Sequence, residues 1–295
     1  MVYTALNALI LSPPSFMSAT LQEGVLRDLL LPDELIACGS GAIRSPMVTF
    51  TSPAHWYGYP PALIPLWGDP GGLYGPSYLG VWKHWFCDRA LTFVRFHVWA
   101  DPLAIEVART PEQFLSIAAI RSIFAHDGVT QDLTEFAARV GLSDLAEIDL
   151  VCVREGDDPL AFREIECFRQ ETPLESVEDS SNYDGDFPIN DFSLGTNWLQ
   201  KACRCELSEA NQAVVDSMEN VPPWLDAEQD KPTLFSELVR AGDLAGAWLT
   251  LNSTGWKIRE ARDAIQLLDR HAESPEFSNL ANAWLDVADP AVGGY

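Results

Sequence analysis

The sequence predicts an α+β fold in which helices flank an antiparallel sheet and a mainly helical carboxyl-terminal region follows. Short apolar runs in the first half are bounded by Gly, Pro or Asp, which is the pattern of strands joined by tight turns. Segments with helical spacing and capping residues lie on both sides of these runs. The composition, with 47% hydrophobic and 21% charged residues, is that of a folded globular chain.

The chain has 295 residues, which is enough for one large domain or two ordinary ones. We predict an α+β domain over residues 1–170, an acidic linker or loop over 171–200 and a helical region over 201–295. The middle segment sets the boundary, because it combines seven acidic residues with Pro, Ser, Asn and Gly and contains no Lys or Arg.

The first domain begins with a helix and continues with strands. Apolar residues recur at helical spacing up to Pro32, so residues 19–31 are predicted to be helical. Five strand-like runs follow, namely Met47–Phe50, Ala62–Trp67, Ser77–Trp82, Leu91–Trp99 and Leu103–Ala108. A turn over Gly68–Gly72 separates the second run from the third.

Helices are predicted after these strands. Thr110 is a good N-cap, Pro111 suits the first helical position and Gln113 completes a capping box, with Asp127 at the end of the helix. A second helix ends at Gly141. The apolar runs 148–154 and 160–168 are strand-like and are predicted to extend the sheet or to form a hairpin.

Three apolar faces predict the helical region. Residues from Leu207 to Met218 share one face, and residues from Ile258 to Leu268 share another. Ser274 and Pro275 form a cap-and-proline start for a third helix.

The charge of the chain restricts its partners. Its 43 acidic and 19 basic residues give a formal net charge of −24. Nucleic acid and anionic membranes are poor partners, because binding phosphate groups requires clustered Lys and Arg. The same charge would steer a cationic protein toward this chain. Solubility alone is the plainer explanation of the acidity.

The location is predicted to be cytoplasmic. The apolar stretch Ala5–Leu11 has no basic residue before it and is shorter than the roughly 20 residues of a membrane span. The six cysteines are scattered, which favours reduced thiols. Cys203 and Cys205 lie too close together for a typical pair of zinc ligands, with Cys167 as a third candidate, so we expect no metal and no cofactor.

No motif in the sequence specifies an enzyme reaction, and we predict that the chain is not an enzyme. The loop Gly68–Gly75 matches neither the P-loop nor the glycine-rich fingerprint of dinucleotide-binding domains. A general acid–base pair would require a histidine close to a carboxylate, and no spacing selects one. The candidates are His55, His84, His97 and His126 with Asp69, Asp88 or Asp127.

Aromatic residues are concentrated between residues 56 and 99, which hold five of the ten Trp and four of the seven Tyr. Trp82, Phe93 and Phe96 are expected in the core, and Tyr57, Tyr59, Tyr74 and Trp85 nearer the surface. Exposed Tyr and Trp in turns are typical of binding hot spots. The predicted partner-binding residues are Tyr57, Tyr59, Asp69, Tyr74, Trp85, Glu171, Glu175, Glu178, Asp179, Asp184 and Asp186.

Four segments carry a resemblance to a known family. They are the apolar strand Leu63–Trp67, the acidic glycine turn Gly68–Gly72, the aromatic strand Tyr78–Trp82 and the strand-to-helix segment Ile105–Leu115. Over roughly residues 18–125 their order resembles the SMI1/KNR4 superfamily, also called SUKH, many of whose bacterial members are immunity proteins against polymorphic toxins. The resemblance implies an α+β domain that neutralises a toxin by binding it, without catalytic residues.

The predicted function is that of an immunity-type protein which neutralises a basic toxin, for example a nuclease, by non-covalent occlusion. Two alternatives remain open at this point. One is a hydrolase that uses a His-Asp pair near residues 55–97, and the other is an adaptor scaffold that binds through the helical tail.

Overall fold

The architecture is that of a computed structural model, which describes residues 19–47, 49–51, 58–72, 75–98, 103–178, 182–187, 223–225, 229–253 and 255–295. The predicted helix around Leu207–Met218 lies outside these residues, as do Cys203 and Cys205.

Strands of the described residues form one four-stranded antiparallel sheet with the order β1-β2-β3-β4. The strands are β1 Leu63–Gly72, β2 Gly75–Trp82, β3 Thr92–His97 and β4 Leu103–Ala108. Each strand pairs with the next one along the chain. The sheet and its helices confirm the predicted α+β fold, including the helical carboxyl-terminal region.

The helices lie before and after the sheet in the sequence. They are α1 Ala19–Asp28, α2 Asp33–Gly39, α3 Pro111–His126, α4 Gln131–Val140, α5 Leu145–Glu155, α6 Glu166–Arg169, α7 Lys231–Ala241, α8 Leu244–Leu251, α9 Ile258–Ala272 and α10 Pro275–Val287. Short 3₁₀ helices cover Pro159–Glu164, Leu174–Ser176 and Pro223–Leu225. None of these described helices combines the length and the apolar character that crossing a membrane requires.

Helix α3 begins as its capping residues predict, with one difference. The Thr110 hydroxyl accepts a hydrogen bond from the Gln113 N–H at 3.2 Å, and Asp127 ends the helix in the left-handed conformation. The Gln113 side chain, however, accepts from the Arg109 N–H and donates to the carbonyl oxygens of Cys167 and Glu171. The residue expected to complete a capping box instead links the Arg109 backbone to α6 and to Glu171 after it.

Residues 148–154 and 160–168 form helices, so the prediction of strands there is wrong. Helix α5 covers the first run, and a 3₁₀ helix and α6 cover most of the second. Ile148, Val151 and Cys152 are buried at spacings of three and four, which is one face of a helix. A short apolar run does not distinguish a buried helix from a strand, and here packing against α3 decides the outcome.

The predicted strand Met47–Phe50 is also wrong for its described residues. Thr51 instead makes a single antiparallel bridge with Gly68, in which each N–H donates to the carbonyl oxygen of the other. The sequence Gly68–Gly72, predicted as a turn, continues strand β1, and the chain reverses between Gly72 and Gly75. Register shifts within β1 accommodate this Gly- and Pro-containing stretch.

Helix α3 covers one face of the sheet through stacked aromatic rings. The Phe114 ring lies 5.2 Å from the ring of Trp67 and 4.8 Å from that of Phe93, both in near-parallel orientation. All three side chains are buried. Aromatic stacking of this kind adds about 0.5 to 1.5 kcal/mol per pair beyond the area buried.

The carboxyl-terminal helices pack against the sheet region and extend its core. The indole N–H of Trp284 on α10 donates to the Tyr59 carbonyl at 3.1 Å. The Asn252 side chain accepts from the Ala62 N–H at 2.7 Å, and the Phe277 ring lies 5.4 Å from that of Trp85. Buried residues from Val25 to Tyr295 form one hydrophobic cluster.

The described part of the acidic segment is anchored to the edge strand β4. The Glu106 carboxylate is buried and accepts from the Thr92 hydroxyl, the Leu174 N–H, the Arg109 Nε and the Tyr183 hydroxyl, at 2.7 to 3.1 Å. Burial raises the pKa of Glu106, and these four donors oppose the shift. Residues 174–187, where described, are thus tied to the sheet by a buried carboxyl group.

Candidate functional site

The aromatic residues that were predicted to form a binding surface are buried to different degrees in the structure. Tyr59 is 5% exposed and its ring lies 4.9 Å from that of Tyr78, so the expectation of a surface position is wrong. Trp85 is partly buried beneath Phe277. Trp82, Phe93 and Phe96 are buried, as predicted.

The remaining predicted partner residues have different environments. Tyr57, Tyr74 and Asp179 lie outside the described residues, as does His55. Asp69 is buried near the end of β1, whereas Glu171 and Glu178 are exposed.

Three acidic residues predicted to hold a partner make contacts within the chain. Asp184 pairs with Arg109 at 2.8 Å, and Asp186 accepts from the Ala90 N–H at 3.1 Å. Glu175 is buried, and its Oε1 lies 2.5 Å from Arg95. The pairing lowers the pKa of Asp184 through its hydrogen bond to Arg109. Asp184 and Asp186 remain exposed, whereas Glu175 is buried and forms its ion pair within the protein.

An apolar stripe on α5 is the surface feature that the sequence analysis missed. Leu150 is 69% exposed and Val153 is 79% exposed, and exposed Ala146 precedes them by one helical turn. This stripe lies opposite the buried face of Ile148 and Cys152, so α5 is apolar on both sides. Ala146, Leu150 and Val153 follow one another at spacings of four and three. This spacing predicts a stripe only if the segment is a helix, and the segment was predicted to be a strand.

Carboxylates are numerous on α5 and in the segment that follows it. Between residues 144 and 178 the chain has eleven acidic and three basic residues. We call the stripe and the acidic side chains of α5 and the following segment the acidic face, which consists of Ala146, Leu150, Val153, Glu147, Asp149, Glu155, Asp157, Asp158, Glu164, Glu166 and Glu171. All of these acidic side chains are exposed in whole or in part.

Arginines on the acidic face offset part of its charge. Arg154 pairs with Glu155 at 2.5 Å and with Glu164, and Arg169 pairs with Glu147 at 3.0 Å. These exposed pairs contribute little to stability, about 0 to 1 kcal/mol each. The surplus of carboxylates leaves the acidic face strongly negative.

His84, Cys38 and Cys152 are buried and His97 is partly buried, whereas His126 is exposed. Burial lowers the pKa of His84 to about 3 and that of His97 to about 4. Burial raises the pKa of Cys38 to about 12 and that of Cys152 to about 11. Within the described residues, no group of three or more His, Cys, Asp or Glu side chains is arranged to hold a metal ion.

Comparison with known proteins identifies no relative, because no family model, no curated protein and no solved structure matches the chain.

Proposed function

We propose that the chain is a non-catalytic binding protein that captures a cationic protein on its acidic face. The observation that carries the proposal is the exposed pair Leu150 and Val153 on a helix whose exposed side chains, like those of the following segment, are mostly acidic. An apolar centre with a polar rim is the usual organisation of a protein–protein interface.

Burial of the apolar pair Leu150 and Val153 would stabilise a complex. Covering a Leu or Val side chain that is otherwise exposed stabilises the covered state by about 1.5 to 3 kcal/mol. Single exposed apolar residues are ordinary on protein surfaces, but Leu150 and Val153 lie on adjacent turns of one helix face with Ala146. A partner that covers this stripe would bury all three together.

The carboxylates select the sign of the partner. Opposite charges raise the association rate and penalise acidic competitors. The formal net charge of −24 extends this preference to the whole molecule, within a screening length of about 8 Å at physiological salt. A basic protein with an apolar patch inside its cationic surface is the complementary partner.

More specifically, we propose that the chain is a cytoplasmic immunity protein and that its cationic partner is a toxin domain such as a nuclease. It is supported by the SUKH-like order of elements over roughly residues 18–125 and by the negative charge. Neutralisation would occur by occlusion, without any covalent step.

The hydrolase alternative has less support from the chemistry of the described residues. A histidine with a pKa of about 3 or 4 is a weak general base at neutral pH, because efficient proton transfer needs a pKa near the operating pH. The adaptor alternative requires a free face on the helical tail, whereas Trp284 and Phe277 pack toward the sheet region.

Co-elution with the products of neighbouring genes tests the proposed function. Each protein encoded beside this chain's gene is purified and mixed with it at low salt and again at high salt. We expect one strongly basic neighbour to form a complex that weakens as salt increases. Failure of every neighbour to co-elute at low salt would contradict the proposal.

Charge reversal on the stripe tests the position of the binding surface. The double variant Leu150→Lys with Val153→Lys should bind the basic neighbour at least about tenfold more weakly, because it removes apolar contact and adds repulsion. Both positions are exposed, so its free energy of unfolding should stay within about 0.5 kcal/mol of the unmodified chain. The matched control is Leu30→Lys, since Leu30 is 89% exposed and lies two residues after the end of α1. Equal losses in both variants would exclude the acidic face.

A further inference from the structure

A cavity of about 370 Å³ lies between the sheet, helix α3 and the 3₁₀ segment that follows α5. Its polar lining consists of Arg95 from β3, Arg121 from α3, Asp157 and Glu175. Its apolar lining consists of Ile117, Ile120, Phe124, Pro159 and Phe162. The volume falls within the range of about 300 to 1,000 Å³ that is typical of small-molecule sites.

The two arginines of this cavity are compensated unequally. Arg95 donates to Glu175 at 2.5 Å, so its charge has a partner. Arg121 makes no hydrogen bond and no ion pair with any residue in the described part of the chain. The Arg121 guanidinium therefore lines the cavity with donors that no described residue accepts, and Glu175 offsets its charge only in part.

Two polar atoms of β3 near this cavity also lack hydrogen-bond partners. The Arg95 Nε and the His97 Nδ1 are buried and have no hydrogen-bond partner among the described residues. Burial and the charge of Arg95 lower the pKa of Arg121 to about 9, which leaves the guanidinium charged at neutral pH. Buried polar groups without partners are uncommon in folded proteins and require a reason.

We propose that this cavity binds a small organic carboxylate with an apolar body. The carboxylate would accept charge-assisted hydrogen bonds from the Arg121 guanidinium, which lines the cavity. The lining has two arginines and two carboxylates, and a ligand carboxylate would place a negative charge directly beside Arg121, the arginine without a hydrogen-bond acceptor among the described residues. Water can fill the cavity and accept hydrogen bonds, but it does not supply that charge.

The apolar wall defines the rest of the ligand. Ile117 and Ile120 present aliphatic side chains, while Phe162 and Phe124 present rings. Phe124 is 37% exposed and Asp157 is exposed, so these two residues lie toward solvent. An aromatic or branched aliphatic body would bury apolar surface here, whereas phosphate and acetate would leave the wall uncovered.

Calorimetric titration of the full chain with matched probes tests the ligand class. The probes are 3-phenylpropionate, its neutral amide, 3-phenylpropylamine, acetate and inorganic phosphate. We expect 3-phenylpropionate to bind with a Kd below about 1 mM and the amide to bind at least about tenfold more weakly. The proposal is overturned if no carboxylate binds in this range, or if the amine or phosphate binds more tightly than 3-phenylpropionate.

A pair of arginine variants tests the position of the carboxylate. Arg121→Met should weaken binding of 3-phenylpropionate by at least about tenfold while preserving the circular dichroism of the folded chain. Arg163→Met is the matched control. Arg163 is an exposed residue of the 3₁₀ helix whose Pro159 and Phe162 line the cavity, but Arg163 itself is outside the lining. Equal binding by both variants would overturn the proposal. If Arg121→Met does not fold, the comparison between acid and amide on the unmodified chain decides the role of charge.

Discussion

At the scale of residues, burial by distant parts of the chain separates correct from incorrect predictions. Alternation along β3 was enough to place Phe93 and Phe96 in the core, because a strand has only two faces. Tyr59 is buried by contacts that include Trp284, which is 225 residues away. No local pattern around Tyr59 contains that information, and the same holds for the pairing of Arg95 with Glu175 across 80 residues.

The buried histidines should make stability depend on pH in a defined window. The pKa of His84 falls from an unfolded value near 6.5 to about 3, and that of His97 falls to about 4. Below pH 6.5 the unfolded chain binds protons that the folded chain does not, so stability decreases as the pH falls. Each histidine should cost about 1 kcal/mol between pH 6.5 and 5.5.

Urea unfolding at pH 7.5 and 5.5 measures this effect, and His84→Gln separates it from other contributions. The variant should lose less stability than the unmodified chain over the same interval. An identical loss in both proteins would show that His84 is not the titrating group.

At the scale of elements, strands and capped helices could be predicted, whereas the α5 segment could not. Strands β1 to β4 have breakers at their ends, and α3 has a Thr-Pro start. Residues 145–155 are apolar on both sides, so neither a period of two nor a single helical stripe is evident. The acidic face was missed for the same reason, because its stripe exists only on the helix.

The anchoring of the acidic segment is an element-scale feature that substitution of Glu106 tests. Glu106→Gln replaces one acceptor oxygen with an NH₂ group, which then meets two existing donors, either those of Thr92 and Tyr183 or those of Arg109 and Leu174. We expect a loss of about 1 to 3 kcal/mol in the free energy of unfolding, measured in urea.

The matched control for this prediction is Glu237→Gln on α7. Glu237 is exposed, so the same change there should stay within about 0.5 kcal/mol. Amide hydrogen exchange in residues 174–178 and 182–187 should also accelerate in the Glu106 variant. Similar unfolding free energies for both variants would contradict the anchoring role.

At the scale of the whole molecule, the net charge follows from composition, whereas the positions of the acidic face and of the cavity follow from tertiary packing. The net charge of −24 is evident from composition and predicted the sign of a partner. The position of the acidic face depends on α5, the 3₁₀ helix and α6 packing as one layer beside α3. The cavity with Arg95 and Arg121 depends on the same layer, because its wall includes Pro159 and Phe162.

The most direct test of the central claim is a hydrogen-exchange map of the complex with the co-eluting basic protein. We expect slower amide exchange in residues 145–158 of the bound chain, because the partner covers the acidic face. Slower exchange in residues 58–69 and 83–90, with residues 145–158 unchanged, would contradict the account.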